Sequence, residues 1–91
     1  MTHDTAKIEF ENERVKVTRV KTGQREQGQP RARHDRLIIY LQDGHVARTE
    51  DGTREEVRRK AGDVVWRPRS QHQIENLHDG DHEVLIVELK R

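Results

Sequence analysis

Turn signals recur so closely in the middle of this chain that nothing between them has room for an ordinary helix. Asp43-Gly44, Asp51-Gly52, Ala61-Gly62-Asp63 and Pro68 divide the segment from Arg36 to Asn76 into short pieces. Glycine accepts φ > 0 and aspartate bonds its own nearby backbone, so each such pair favours a bend. The pieces have the length of strands. Arg36-Leu37-Ile38-Ile39-Tyr40-Leu41 is the most apolar of them, and its β-branched pair favours extended chain. Asp43-Gly44 is expected to end that strand, with residues 46–49 returning, and Asp51-Gly52 is expected to form a second hairpin. Residues 54–60 carry mostly charge. Glu55 with Arg59 and Glu56 with Lys60 stand at helical i,i+4 spacing, but the turns on either side favour a solvated outer strand.

The two ends continue the pattern. Ile8 and Phe10 lie two apart, as on one face of a strand, and Val15, Val17 and Val20 follow. Two of the three valines keep period two, and the slip at Arg19-Val20 reads as a bulge or a change of face. Residues 22–30 are polar, with two glycines and a proline, and predict a loop crossing between sheets. Val84-Leu85-Ile86-Val87-Glu88-Leu89 forms a last apolar strand after the polar Leu77-His78-Asp79-Gly80-Asp81. About eight short strands with no substantial helix predict an all-β sandwich or barrel.

Composition bounds what such a barrel can be. With 91 residues the chain is expected to form one domain, of which the barrel takes about residues 8–90. Only 30% of residues are hydrophobic and 38% are charged, a thin apolar supply that a homodimer sharing core would ease. The 18 Lys+Arg balance 17 Asp+Glu, so no strongly basic face for nucleic acid is expected. The absence of cysteine excludes disulfides, thiolate nucleophiles and Cys-ligated zinc. No apolar run approaches the roughly 20 residues needed to cross a bilayer, and the first seven residues lack the apolar segment of a secretion signal. A cytoplasmic protein without membrane or nucleic-acid partners is the expectation.

The densest cluster of signals runs from Gly62 to Asn76. Pro68 cannot sit inside a central strand, so it ends the strand at Arg67, and the chain is expected to turn back as a hairpin with His72 beside the bend. Gly62, five residues, Pro68, then His72, three residues and Asn76 resembles the second motif of the cupins, small jelly-roll barrels built as a double-stranded β-helix. Asn12-Glu13-Arg14-Val15 and Val87-Glu88-Leu89-Lys90 are similar to the entry and exit strands of the smallest single-domain members. The resemblance extends from about Phe10 to Lys90 and implies the RmlC-like barrel.

In metal-binding cupins, His-x-His and a Glu from the first motif join one His from the second. Such a set holds Fe, Mn, Ni, Cu or Zn with positions open for substrate. His72 matches the second-motif ligand. In one register the first-motif positions fall on Arg31, Arg33 and Leu37, none of which has a lone pair to give. In another, Gly28 leads to His34, with Arg36 at the second His position and no Glu. The best metal site is then His34 with His72, completed by Gln29, Tyr40 or water. The competing reading makes His72 a pocket-lining hydrogen-bonding residue.

Arg31 and Arg33 carry a second hypothesis. Facing the barrel mouth, they would put two guanidinium forks beside His72, suited to a carboxylate or phosphate. The pocket would be walled by Tyr40, Trp66, Leu37 and Ile74, with Asn76 on the same strand face as His72. The alternative is that both arginines point to water from the loop. Cations nearby would keep His72 neutral and able to act as a base, with Tyr40 or Glu75 as second group, although strand parity turns Glu75 away. Metal-free cupins acting on nucleotide-sugars resemble this logic. His3, His45, His78 and His82 read as terminal or turn residues, the last two in a solvent-exposed Asp-Gly-Asp loop. The sequence thus supports a barrel binding a small, anionic ligand beside His72. The alternative is a cupin enzyme acting on a small organic acid or sugar derivative, either metal-dependent or using His72 as acid/base.

Overall fold

The computed structural model describes residues 4–28 and 30–90. Nine strands form two antiparallel sheets, and there is no helix among the described residues. In chain order they are β1 (Asp4–Glu11), β2 (Val15–Thr22), β3 (Arg31–Arg33), β4 (Arg36–Tyr40), β5 (Gly44–Glu50), β6 (Thr53–Arg59), β7 (Val64–Arg67), β8 (Ser70–Asn76) and β9 (His82–Leu89). One sheet has the order β1-β2-β9-β4-β7 and the other β3-β8-β5-β6. From β2 onward, every connection but one carries the chain from one sheet to the other. The exception is the β5–β6 hairpin.

That hairpin turns at Asp51-Gly52, where both residues take positive φ, 49° and 87°. Two left-handed residues give the twist that neighbouring strands need, and the expected turn is present. The other two expected hairpins are absent. β5 does not return along β4, because Asp43-Gly44 hands the chain to the four-stranded sheet. Likewise Pro68 and Arg69 link β7 in one sheet to β8 in the other. A bend signal specifies a change of direction and not the partner of the next strand. The polar stretch after Thr22 does cross between sheets, and the charged run from Arg54 lies in outer strand β6, where only Val57 is buried.

β2 keeps one unbroken register with β9 from Val15 to Thr22, so the slip at Val20 is a change of face. The bulge lies in β1 instead, between Ile8 and Phe10. Ile8 pairs with Thr18 on the inner side and Phe10 with Val17 on the outer, which separates two residues expected to share a face.

Even-numbered residues of β4 and β9 point inward, and Ile38, Tyr40, Val84 and Ile86 form the core with Val20 and Val65 against them. The alternate residues make the outer face. There Phe10, Val17, Val87, Leu37 and Trp66 stand in one row across all five strands. The ends of that row are open to water, with Phe10 54% and Trp66 49% exposed.

Candidate functional site

The space between the sheets is a cavity of about 40 Å³. The five-stranded sheet lines it with Val20, Thr22, Ile38, Tyr40, Val84 and Ile86, and with His82 at the start of β9. The four-stranded sheet lines it with Arg31 and Arg33 from β3, Arg48 from β5, and His72 and Ile74 from β8. One wall is therefore largely apolar and the other largely cationic.

Side-chain parity explains the cationic wall. In β5, Val46, Arg48 and Glu50 share the inward side, and in β8 the pairing of Arg31 with His72 sets β3 so that Arg31 and Arg33 also reach the cavity. A group beneath the cavity holds part of this charge. Arg33 donates to Glu88 at 3.0 Å, both side chains being more than nine-tenths buried. Arg36, with no exposure, donates to the carbonyl of Pro68 at 3.0 Å, to Ser70 Oγ at 3.3 Å and to Glu50 at 3.4 Å. Ser70 Oγ in turn donates to Glu50 at 2.9 Å. Buried ions held this way are costly to strip of a partner, even where the pair itself adds little net stability.

Arg48 differs. It is 2% exposed, donates from Nη2 to the Tyr40 hydroxyl at 3.1 Å, and has no carboxylate of the described residues within ion-pair distance. Its Nε and Nη1 are shut from solvent without a hydrogen-bond partner. Burial pulls its pKa below the usual arginine value, against the pull of Tyr40.

His72 sits on the same sheet beside Arg31, Arg33 and Arg48, 8% exposed, with Nδ1 unpartnered. Burial first, and then Arg36, Arg33, Arg48 and Arg31, push its pKa down to about 3. The imidazole is neutral at pH 7. His82 is 5% exposed, packs its ring against Tyr40 with centroids 5.6 Å apart, and is lowered to about 4, mainly by burial and then by Arg48. A Cβ on Gly44 would come within 2.8 Å of His82 Nδ1, so the start of β5 is shaped around that ring.

Of the residues singled out in the sequence, Arg31, Arg33, Tyr40, His72 and Ile74 line the cavity. Others do not. Trp66 and Leu37 pair with each other on the outer face, because Arg36, Ile38 and Tyr40 take the inward positions of β4. Asn76 is fully buried but spent on backbone: its Nδ2 donates to the carbonyls of Gly80 at 2.7 Å and Gly23 at 3.1 Å, and its Oδ1 accepts from the amide of His78. It staples two loops. His34 is exposed on the outside against Arg69 at 3.3 Å and does not join His72 in the cavity. Glu75 faces outward towards Arg54, as parity required, and Gln29 lies outside the described residues.

Four interior residues stand outside the sequence expectations: Arg48, Glu50 and Glu88, to which no role was assigned, and His82, expected in a solvent-exposed turn. The signal was present in β9, where His82, Val84, Ile86 and Glu88 alternate with period two and all are buried.

A resident metal does not fit this donor set. Among the described residues no three His, Asp or Glu side chains converge as ligands, and the two imidazoles of the cavity share it with guanidinium groups that repel a dication. What the wall suits is negative charge.

No family model matches the chain, and no curated protein matches its sequence. Solved structures do. A cupin domain from Bordetella pertussis superposes with a TM-score of 0.91 at 18% identity, covering 99% of this chain and 96% of that one. An RmlC-like cupin family protein with a double-stranded β-helix fold, from Methanocaldococcus jannaschii, gives 0.78 at 17% identity over 99% and 83%. A cupin superfamily protein from Desulfitobacterium hafniense gives 0.73 at 20% identity over 98% and 79%. With two facing antiparallel sheets that exchange the chain at almost every connection, this protein has the fold of those cupins, an RmlC-like double-stranded β-helix.

Proposed function

We propose that the barrel binds a small anion against its cationic wall, beside neutral His72. The observation that carries this reading is Arg48. A guanidinium that is 2% exposed, with Nε and Nη1 shut from solvent and unbonded, carries a desolvation cost, and an anion in the cavity beside it would offset that cost through charge attraction in a low-dielectric interior. Arg31 and Arg33 add to the field at the same place. His72, neutral, offers one donor and one acceptor to a bound oxygen. Binding is the function supported, and proton transfer by His72 is the alternative: an imidazole held near pKa 3 is a weak base, and an anion that raised it would make it a better one.

The test is titration calorimetry with formate, acetate, phosphate and sulfate at low ionic strength, on the wild type and on Arg48→Gln and Arg48→Lys. At least one anion is expected to bind, more weakly as salt rises, with about a tenfold loss in Arg48→Gln and partial recovery in Arg48→Lys. Absence of binding by every anion, or equal binding by a folded Arg48→Gln protein, sinks the reading.

We also propose a homodimer through the outer face of the five-stranded sheet. The row from Phe10 to Trp66 is apolar at every position, with Val64 a further exposed member at 58%, and a patch of that kind is characteristic of an interface. A second copy suits it by symmetry. β9 is the middle strand, and a two-fold axis along it lays the Phe10 end of one row over the Trp66 end of the other. Twisted sheets diverge from their line of contact, and the aromatic side chains stand where that gap widens. Sedimentation of the wild type and of Trp66→Lys should give dimer and monomer respectively. A monomeric wild type at tens of micromolar removes the proposal.

A further inference from the structure

We infer that the anion is a short-chain aliphatic monocarboxylate, of about two to four carbons, an inference that rests on the small-anion reading above. The two walls of the cavity differ by sheet. Arg48 and His72 stand on one side, and Val20, Ile38, Val84 and Ile86 on the other. A ligand filling this space is charged at one end only.

A second carboxylate, or the far oxygens of a phosphate, would lie against a wall that is mostly branched aliphatic, where Tyr40 is already engaged by Arg48 and Thr22 and His82 are the other polar groups, which is costly. An alkyl tail there gains from leaving water. Size sets the upper bound. The space of about 40 Å³ corresponds to about three water positions, enough for a carboxylate with a few carbons and too little for a sugar ring. The tail also meets well-packed neighbours, since Ile38, Val84 and Ile86 belong to the core cluster. Extra length therefore has nowhere to go without displacing core side chains.

The experiment is a calorimetric series of formate, acetate, propionate, butyrate and hexanoate, with phosphate and succinate alongside, on the wild type, Ile86→Ala and the milder Ile38→Val. Affinity is expected to rise roughly fourfold per CH2 as far as propionate or butyrate and to fall at hexanoate. Both variants widen the apolar side, so the optimum should move to a longer chain, and Ile38→Val keeps this readable if Ile86→Ala does not fold. Phosphate or succinate binding as tightly as propionate, or affinity independent of chain length, overturns the inference and leaves the small-anion reading standing. Failure of all seven anions to bind removes both.

Discussion

The two sheets of this barrel spend their residues differently. The five-stranded sheet is apolar on both faces over much of its area: Ile38, Val84 and Ile86 point inward while Leu37, Leu85 and Val87 point outward between them. The four-stranded sheet is polar on both, with Arg31, Arg33, Arg48 and His72 inward and Gln71, Gln73 and Glu75 on the alternate positions of β8. In a chain with only 30% hydrophobic residues, concentrating them in one sheet makes a packing surface that a uniform distribution would not. The other sheet is left free to carry charge into the interior, which it can do only because Glu50, Glu88 and Tyr40 accept from its arginines or from their neighbour Arg36. One sheet supplies cohesion and the other supplies chemistry.

That division is most sharply broken at Glu88. Glu88→Ala removes the carboxylate that Arg33 holds at 3.0 Å, and breaking a buried pair from one side costs about 3–5 kcal/mol. Urea unfolding of the variant should show a loss of that order, and a loss under about 1 kcal/mol would mean that the interior arginines are solvated after all.

Acid tests the same wall with a smaller effect. In the unfolded chain the histidines titrate near 6.5, whereas in the fold His72 is held at about 3 and His82 at about 4. Between those values the unfolded state binds protons that the folded state refuses. Stability is therefore fully present above pH 6.5 and is lost as pH falls towards 4 and then 3. Each histidine contributes a slope of up to about 1.4 kcal/mol per pH unit, or about 2 kcal/mol from pH 6.5 to 5. In His72→Gln that slope should fall by about half. An unchanged slope would show that His72 titrates normally and that the cationic wall does not act on it.

The smallest effect separates backbone from wall. Gly52 has φ of 87° with open space around its Cβ position, so Gly52→Ala meets backbone strain alone and should cost about 1 kcal/mol. Because the hairpin belongs to the four-stranded sheet but lies outside the cavity, anion affinity should stay constant while stability drops. A parallel loss of affinity would show that the β5–β6 register positions Arg48.

Much of the barrel was legible in the order of residues. Strand lengths, the β5–β6 hairpin and the absence of helix follow from turn chemistry and apolar spacing, which act over a few residues. The motif from Gly62 to Asn76 pointed to the fold, and His72 was placed in the cavity by its likeness to that motif. Parity already turned Glu75 outward. Parity also held the answer for His82 and Glu88 but was overridden by their polarity, since a charged residue on an apolar strand is more often at the surface.

What the chain determined by itself was local: where it bends, which stretches extend, and which residues alternate. Only the tertiary structure decided which sheet each strand joins, and hence that Trp66 faces out, that Asn76 is consumed by backbone, and that Arg48 comes to stand beside His72. The physical reason is range. Turn and strand preferences are settled by neighbours in sequence, whereas the inward side of a strand, and the charge that can be tolerated there, depend on partners such as Arg33 and Glu88, 55 positions apart.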